Sequence, residues 1–151
     1  MSTQQTIERV FDAPLALIWE LWTTAAGRGA WYGPRGFVTE VHRYELHVGG
    51  AFDYTMRAGS PEMAANMEKM GRPPSFTVNA VITAIEPMTH LAWRETHGSA
   101  SIDTAVTFTE QPEGVHMTLV LAAATEQQLG GAAMGWRSTL DRLEEQLAQG
   151  A

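Results

Sequence analysis

The chain reads as an α+β domain, an antiparallel sheet made of consecutive hairpins with one long helix at its C-terminal end. Three observations predict this. The order of patterned segments is one strand, one or two short helices, six strands and a long helix, which is an α+β arrangement. The strand segments follow one another through short turns, so neighbours should pair antiparallel. Finally, Thr125-Glu126-Gln127-Gln128 is a capping box. Behind it Leu129, Ala133, Trp136, Leu140, Leu143 and Leu147 recur at steps of three and four, the spacing of one helical face, over Thr125 to about Gln149.

Taken in order, Thr6–Asp12 has strand character. Asp12-Ala13-Pro14 then looks like a helix start, with Asp12 as cap and proline in the first turn. Leu15, Ile18, Trp19 and Trp22 lie on one helical face, and Gly27 and Gly29 predict an end near Thr24. Trp31-Tyr32-Gly33-Pro34-Arg35-Gly36 is a turn-rich link. Strands are expected over Phe37–Val48 and Ala51–Ala58, joined through Gly49-Gly50. In the second, Phe52, Tyr54 and Met56 share a face. Further strands follow at Phe76–Glu86, Leu91–His97, Ser101–Glu110 and Val115–Ala123, with turns at Pro87-Met88-Thr89 and Gln111–Gly114. Between the third and fourth strands, Ser60-Pro61-Glu62 supplies a cap, a first-turn proline and an acid. Met63, Met67 and Met70 form a stripe, and Gly71 and Pro73-Pro74 stop it. A short helix over Pro61–Met70 is predicted, either a lid or fixed core.

The last helix is asymmetric. Its C-terminal half carries large aliphatics, whereas Gly130-Gly131-Ala132-Ala133-Met134-Gly135 has almost no side chains. Glycine inside a helix costs roughly 1 kcal/mol relative to alanine, so the stretch implies close backbone approach or space for a ligand.

Composition bounds the function. With 151 residues, 44% hydrophobic and 18% charged, the chain is expected to form a single globular domain over 1–151. A net charge of −7 and a single lysine, Lys69, argue against nucleic acid or an anionic membrane as partner. The absence of cysteine excludes disulfides, thiolate metal sites and a Cys nucleophile. Met1-Ser2-Thr3-Gln4-Gln5-Thr6 lacks the pattern of a secretory leader, and no apolar run approaches membrane-spanning length, so a cytoplasmic location is expected.

Several blocks together resemble one known family. They are Arg9-Val10-Phe11-Asp12-Ala13-Pro14 with Ile18-Trp19 and Trp22-Thr23; Trp31-Tyr32-Gly33-Pro34; Val48-Gly49-Gly50-Ala51-Phe52; Ile85-Glu86-Pro87 with Leu91; Val106-Thr107-Phe108; and Gly135-Trp136 leading to Leu140 and Leu143. Their order and spacing resemble the SRPBCC superfamily, also called START or Bet v 1-like. Within it the match is to the family named for similarity to the activator of heat-shock protein 90 ATPase. The resemblance implies a helix-grip fold, in which a curved seven-stranded antiparallel sheet wraps around the C-terminal helix and encloses a cavity. It does not fix the reaction, because the superfamily includes lipid and hormone binders, cyclases and co-chaperone domains. The chain departs from the family pattern at Glu45 and His47, before Gly49-Gly50, and at Ala25-Ala26-Gly27-Arg28-Gly29.

The candidate chemistry is sparse. The five histidines lack metal-ligand spacing, and His42 and His47 point to opposite faces of a regular strand, so no metal is expected. No nucleophile elbow or phosphate-cradling glycine loop is present, so no cofactor is expected either. Glu95 and His97 share a strand face with Trp93, and a carboxylate two residues from an imidazole could orient it as an acid/base pair. The alternative is that both are solvated at an exposed strand end, where charged residues mostly lie. Glu45 is a further polar candidate. The expected cavity residues are Tyr54, Met56, Met67, Trp93, Glu95, His97, Thr104, Met117 and Met134. The expected function is binding of a small apolar or aromatic molecule between sheet and helix. The alternatives are an enzyme of cyclase, aldol or hydrolytic type using Glu95 and His97, and a stress-related domain acting on a chaperone. A small hydrophobic molecule is the expected partner; a second copy of the chain and a chaperone are the others considered.

Overall fold

The computed structural model describes residues 3–97 and 99–149, with His97 described in its backbone alone. Seven strands form one sheet: β1 (Thr3–Phe11), β2 (Phe37–Tyr44), β3 (Ala51–Ala58), β4 (Ser75–Glu86), β5 (His90–His97), β6 (Ala100–Gln111) and β7 (Gly114–Ala123). Their order across the sheet is β1-β7-β6-β5-β4-β3-β2, and every neighbouring pair is antiparallel. The helices are α1 (Leu15–Thr23), α2 (Ala25–Trp31), α3 (Pro61–Lys69) and α4 (Glu126–Ala148). The two ends of the sheet, β1 and β2, are joined through α1 and α2, and α4 lies against β1, β7 and α2. This is the helix-grip arrangement.

Alternation sets the two faces of the sheet. On β3, Phe52, Tyr54 and Met56 are buried while their neighbours are not. On β7, Val115, Met117, Leu119, Leu121 and Ala123 do the same. A strand turns successive side chains to opposite faces, so these residues line the concave side. Against them α4 places Leu129, Ala133, Trp136, Thr139, Leu140 and Leu143, all buried. The helix starts where its local chemistry dictates. Thr125 accepts the Gln128 N–H, and the Gln128 side chain accepts from the Thr125 N–H, so two otherwise orphaned donors are satisfied.

The local readings hold for α3 and α4, and three details differ. The cap of α1 is Pro14, not Asp12; the Pro14 carbonyl takes the Leu17 and Ile18 N–H groups directly. β2 stops at Tyr44, short of Val48, because Glu45 turns back. Its N–H donates to the Ala51 carbonyl at 2.8 Å and its carboxylate accepts the Ala51 N–H at 2.9 Å. Finally, α1 ends at Thr23 with Thr24 as its cap, as expected, but Gly27 and Gly29 lie inside a second short helix, α2, and do not break the chain's helical course.

Gly27 shows why. A Cβ at this position would stand 2.5 Å from Thr24 Oγ1, 2.8 Å from the Glu20 carbonyl oxygen and 2.9 Å from Leu21 Cα. The glycine lets α2 fold tightly back on the end of α1, and its N–H is capped by Thr24. Gly27→Ala is therefore expected to destabilise the domain by about 1–3 kcal/mol through overpacking. At Gly131 an added Cβ meets nothing within 4 Å, and Gly131→Ala should raise stability by about 1 kcal/mol from helix propensity alone. Thermal melts of the two variants should move in opposite directions.

α3 is capped by Ser60, which accepts the Met63 N–H at 3.2 Å. After the helix Gly71 adopts φ +74°, a left-handed conformation that glycine takes without strain. None of the α3 residues is buried. Met63 packs beside Gly36, Met67 is half-buried and Met70 is exposed. The helix covers the end of β3 without entering the main core.

Candidate functional site

A cavity of about 240 Å³ lies between the sheet and the N-terminal half of α4. The sheet supplies Tyr54 and Met56 from β3, Phe76 from β4, Glu95 from β5, and Ile102 and Thr104 from β6. The helix supplies Gly131, Ala132, Gly135, Trp136 and Thr139, and the link after α2 supplies Tyr32, Gly33 and Pro34. The spacing 131, 135, 139 and 132, 136 is one helical stripe. The small residues of that stripe leave the space, because a side chain at Gly131 or Gly135 would project toward it.

Tyr54, Met56, Glu95 and Thr104 of the expected cavity residues come together in this wall. Four others lie elsewhere. Trp93 is fully buried behind Glu95. Met117 is buried in the core on β7, beside Phe108 across the strand pair. Met67 sits on α3 outside the wall. Met134 is 73% exposed; it belongs to the small-residue stretch, but its helical phase turns it away from the stripe that faces the cavity. The side chain of His97 lies outside the described residues. Glu45 is exposed in the β2–β3 connection and paired with Arg43. No cluster of metal-ligating side chains occurs among the described residues.

Behind the cavity lies a feature the sequence did not disclose. Arg28 is fully buried, with its guanidinium carbon 4.1 Å from the ring centre of Tyr32, 4.4 Å from Trp93, 4.7 Å from Phe52 and 4.9 Å from Trp22. Trp31 and Tyr44 complete a shell of six rings at 5.6 and 6.0 Å. Such contacts attract a cation to the negative ring faces. Nη1 donates to the Trp22 carbonyl at 3.2 Å and to the Tyr44 hydroxyl at 2.9 Å. Nε and Nη2 have no acceptor among the described residues.

Two of the same rings carry the polar end of the cavity. Tyr32 Oη donates to Glu95 Oε1 at 3.1 Å, and Trp93 Nε1 donates to the same oxygen at 2.9 Å. Burial pushes the Tyr32 phenol far above its ordinary range; Glu95 adds to the rise and Arg28 opposes it. Tyr54 is likewise raised, first by burial and then by Tyr32 and Glu95. Both phenols therefore stay protonated, and that of Tyr32 serves as a donor to Glu95. The order through the wall is guanidinium, aromatic layer, carboxylate, cavity.

The mouth is held from α4. Arg142 Nη1 lies 2.9 to 3.5 Å from the carbonyl oxygens of Tyr32, Gly33, Pro34 and Phe37, and burial lowers its pKa. Arg35 adds a backbone N–H to the Ser138 hydroxyl at 2.8 Å and an ion pair to Glu145. The link that carries Tyr32 into the wall is thus fixed to the helix that forms the opposite wall.

Fold and cavity together define a helix-grip domain with an internal space walled by aromatic and small residues. The chain belongs to the activator of Hsp90 ATPase homolog 1-like protein family, whose sequence profile matches residues 12–148. Solved structures with the same fold include a protein from Chromobacterium violaceum, 17% identical with TM-score 0.78, the match covering 95% of this chain and 96% of that one. An AHSA1-like protein from Aeromonas hydrophila is 21% identical with TM-score 0.75, over 98% of this chain and 94% of that one. A protein from Arthrobacter aurescens is 18% identical with TM-score 0.80, over 97% and 86%. At these identities the likeness is one of fold. No curated protein matches the chain. No helix among the described residues is long and apolar enough to cross a membrane.

Proposed function

We propose that the domain binds a small aromatic molecule in the cavity between sheet and α4. The observation that carries this reading is the composition of the wall: Tyr32, Tyr54, Met56, Phe76, Ile102 and Trp136 around a gap left by Gly131, Ala132 and Gly135. Ligand sites are mostly apolar with a few placed polar groups, and here Glu95 and Thr104 are such groups. At about 240 Å³ the space suits one or two fused rings, not a lipid chain or a sterol.

Gly135→Leu tests the reading. A Cβ at Gly135 stands 3.5 Å from Pro34 Cγ, an ordinary contact, so the larger side chain can be added at the mouth without a backbone clash. With 1-methylnaphthalene as probe, followed by tryptophan quenching, the unmodified protein should bind and the variant should bind at least about tenfold more weakly, as expected for a filled site. Equal binding by both would sink the proposal. A second reading, acid/base catalysis by Glu95, is supported by the two protonated phenols beside it. It requires a substrate whose turnover is lost in Glu95→Gln.

A further inference from the structure

We infer that Thr104 selects the ligand: the cavity takes neutral aromatic molecules with an oxygen substituent, a hydroxyl or a carbonyl, and the Thr104 hydroxyl hydrogen-bonds that oxygen. This rests on the aromatic-ligand reading above and adds the substituent and the residue that recognises it.

The inference comes from comparing the buried threonines, Thr23, Thr39, Thr104 and Thr139. Three of them give their hydroxyl to a backbone carbonyl: Thr23 to Trp19 at 2.6 Å, Thr39 to Tyr32 at 2.6 Å and Thr139 to Gly135 at 2.8 Å. Thr104 is only 2% exposed, yet its hydroxyl makes no hydrogen bond within the described residues. Nor is its oxygen sealed in the core. The sealed side-chain atoms without a partner are Trp22 Nε1, Arg28 Nε and Arg28 Nη2, whereas Thr104 lines the cavity. Its hydroxyl therefore opens on that space.

Packing supplies no reason for a hydroxyl here. Along β6 the inward row is Ile102, Thr104, Val106 and Phe108, and Thr104 stands between Trp93 on β5 and Leu121 on β7. Valine has the same shape and suits a strand equally well, so the fold alone favours an apolar side chain at this position. The hydroxyl matters once the cavity is filled. A ring that covers it with hydrocarbon strips its hydration and returns nothing, and an unpaired polar group in an apolar site is costly. A ligand oxygen removes that cost, since a threonine hydroxyl donates to a carbonyl and either donates to or accepts from another hydroxyl. Thr104 also sets how the ligand lies. It is buried, while Ile102 and Phe76 of the same wall are half-buried, so it marks the inner end of the cavity. The oxygen goes in first and the ring follows.

A matched exchange in ligand and protein tests this. 1-Naphthol and 1-methylnaphthalene differ by a hydroxyl in place of a methyl, and Thr104→Val makes the same exchange in the wall. Titrating both probes into both proteins by calorimetry completes a four-way cycle. The naphthol-to-methylnaphthalene affinity ratio should fall by about fivefold or more in the variant, with naphthol weakened and methylnaphthalene held or tightened. A smaller change, with both probes bound, overturns the role of Thr104 and leaves the aromatic-cavity reading standing. The urea midpoint of ligand-free Thr104→Val should not fall, because no hydrogen bond within the described residues is lost. A lowered midpoint would assign the hydroxyl to the fold and overturn the inference. If neither probe binds the unmodified protein, the aromatic-cavity reading itself fails and takes this inference with it.

Discussion

Arg28→Ala is expected to destabilise the domain by about 3–5 kcal/mol, the range for emptying a large buried site. The guanidinium fills the centre of six rings drawn from α1, α2, β2, β3, β5 and the link after α2. Removing it leaves a void where these elements converge. Volume and charge can be separated with Arg28→Met. Methionine fills irregular gaps, and the substitution eliminates two buried nitrogens, Nε and Nη2, that lack acceptors among the described residues. Its loss should be below about 2 kcal/mol, because replacing a desolvated ion by a well-packed apolar group is often near neutral. Urea denaturation of the three proteins gives the comparison. An unchanged midpoint for Arg28→Ala would show that the rings close without the cation.

Trp136→Ala should cost about 3–5 kcal/mol, as large-to-small aromatic truncations in cores do. Trp136 lies parallel to Trp22 at 5.8 Å, with an interplanar angle of 7°. It meets the Tyr32 ring edge-on at 5.5 Å and approaches Trp93 at 6.1 Å. It is thus the side chain by which α4 joins the aromatic shell, and it also forms one wall of the cavity. Its removal should join the cavity to the space over Trp22, so ligand preference should shift to larger ring systems even as stability falls. Urea melts measure the first effect and competition between naphthalene- and pyrene-sized probes the second. A variant that loses stability but keeps the original size preference would separate the packing role from the wall.

The two local helices could be read from sequence because their signals are local. A capping box and an apolar stripe define α4, and Ser60-Pro61 with spaced methionines defines α3. Strand alternation likewise places Tyr54, Met56 and Thr104 on the inner face. What the sequence could not disclose is non-local. Arg28 sits between two glycines and reads as a solvated loop residue; its burial depends on rings as distant in the chain as Tyr44, Phe52 and Trp93. Trp31-Tyr32-Gly33-Pro34 was visible as a turn-rich link, but its place in the cavity wall depends on Arg142 reaching across from α4. Met134 shows the limit of composition: the small-residue stretch marks where the space is, and only helical phase decides which of its members face it. Gly27 gives the opposite lesson, since a residue that usually signals a break here permits a close turn between two helices.

The uneven make-up of α4 gives its two halves different local stabilities. From Thr139 onward the helix is tied down by Leu140 and Leu143 in the core and by Arg142 on the link after α2. From Gly130 to Gly135 three glycines each weaken the helix, by roughly 1 kcal/mol. There the capping box at Thr125 and the buried Leu129, Ala133 and Trp136 hold it in place. Amide hydrogens of the N-terminal half should therefore exchange by local opening well before those of the C-terminal half. That weaker half is also the helix wall of the cavity, so a molecule held there should slow its exchange.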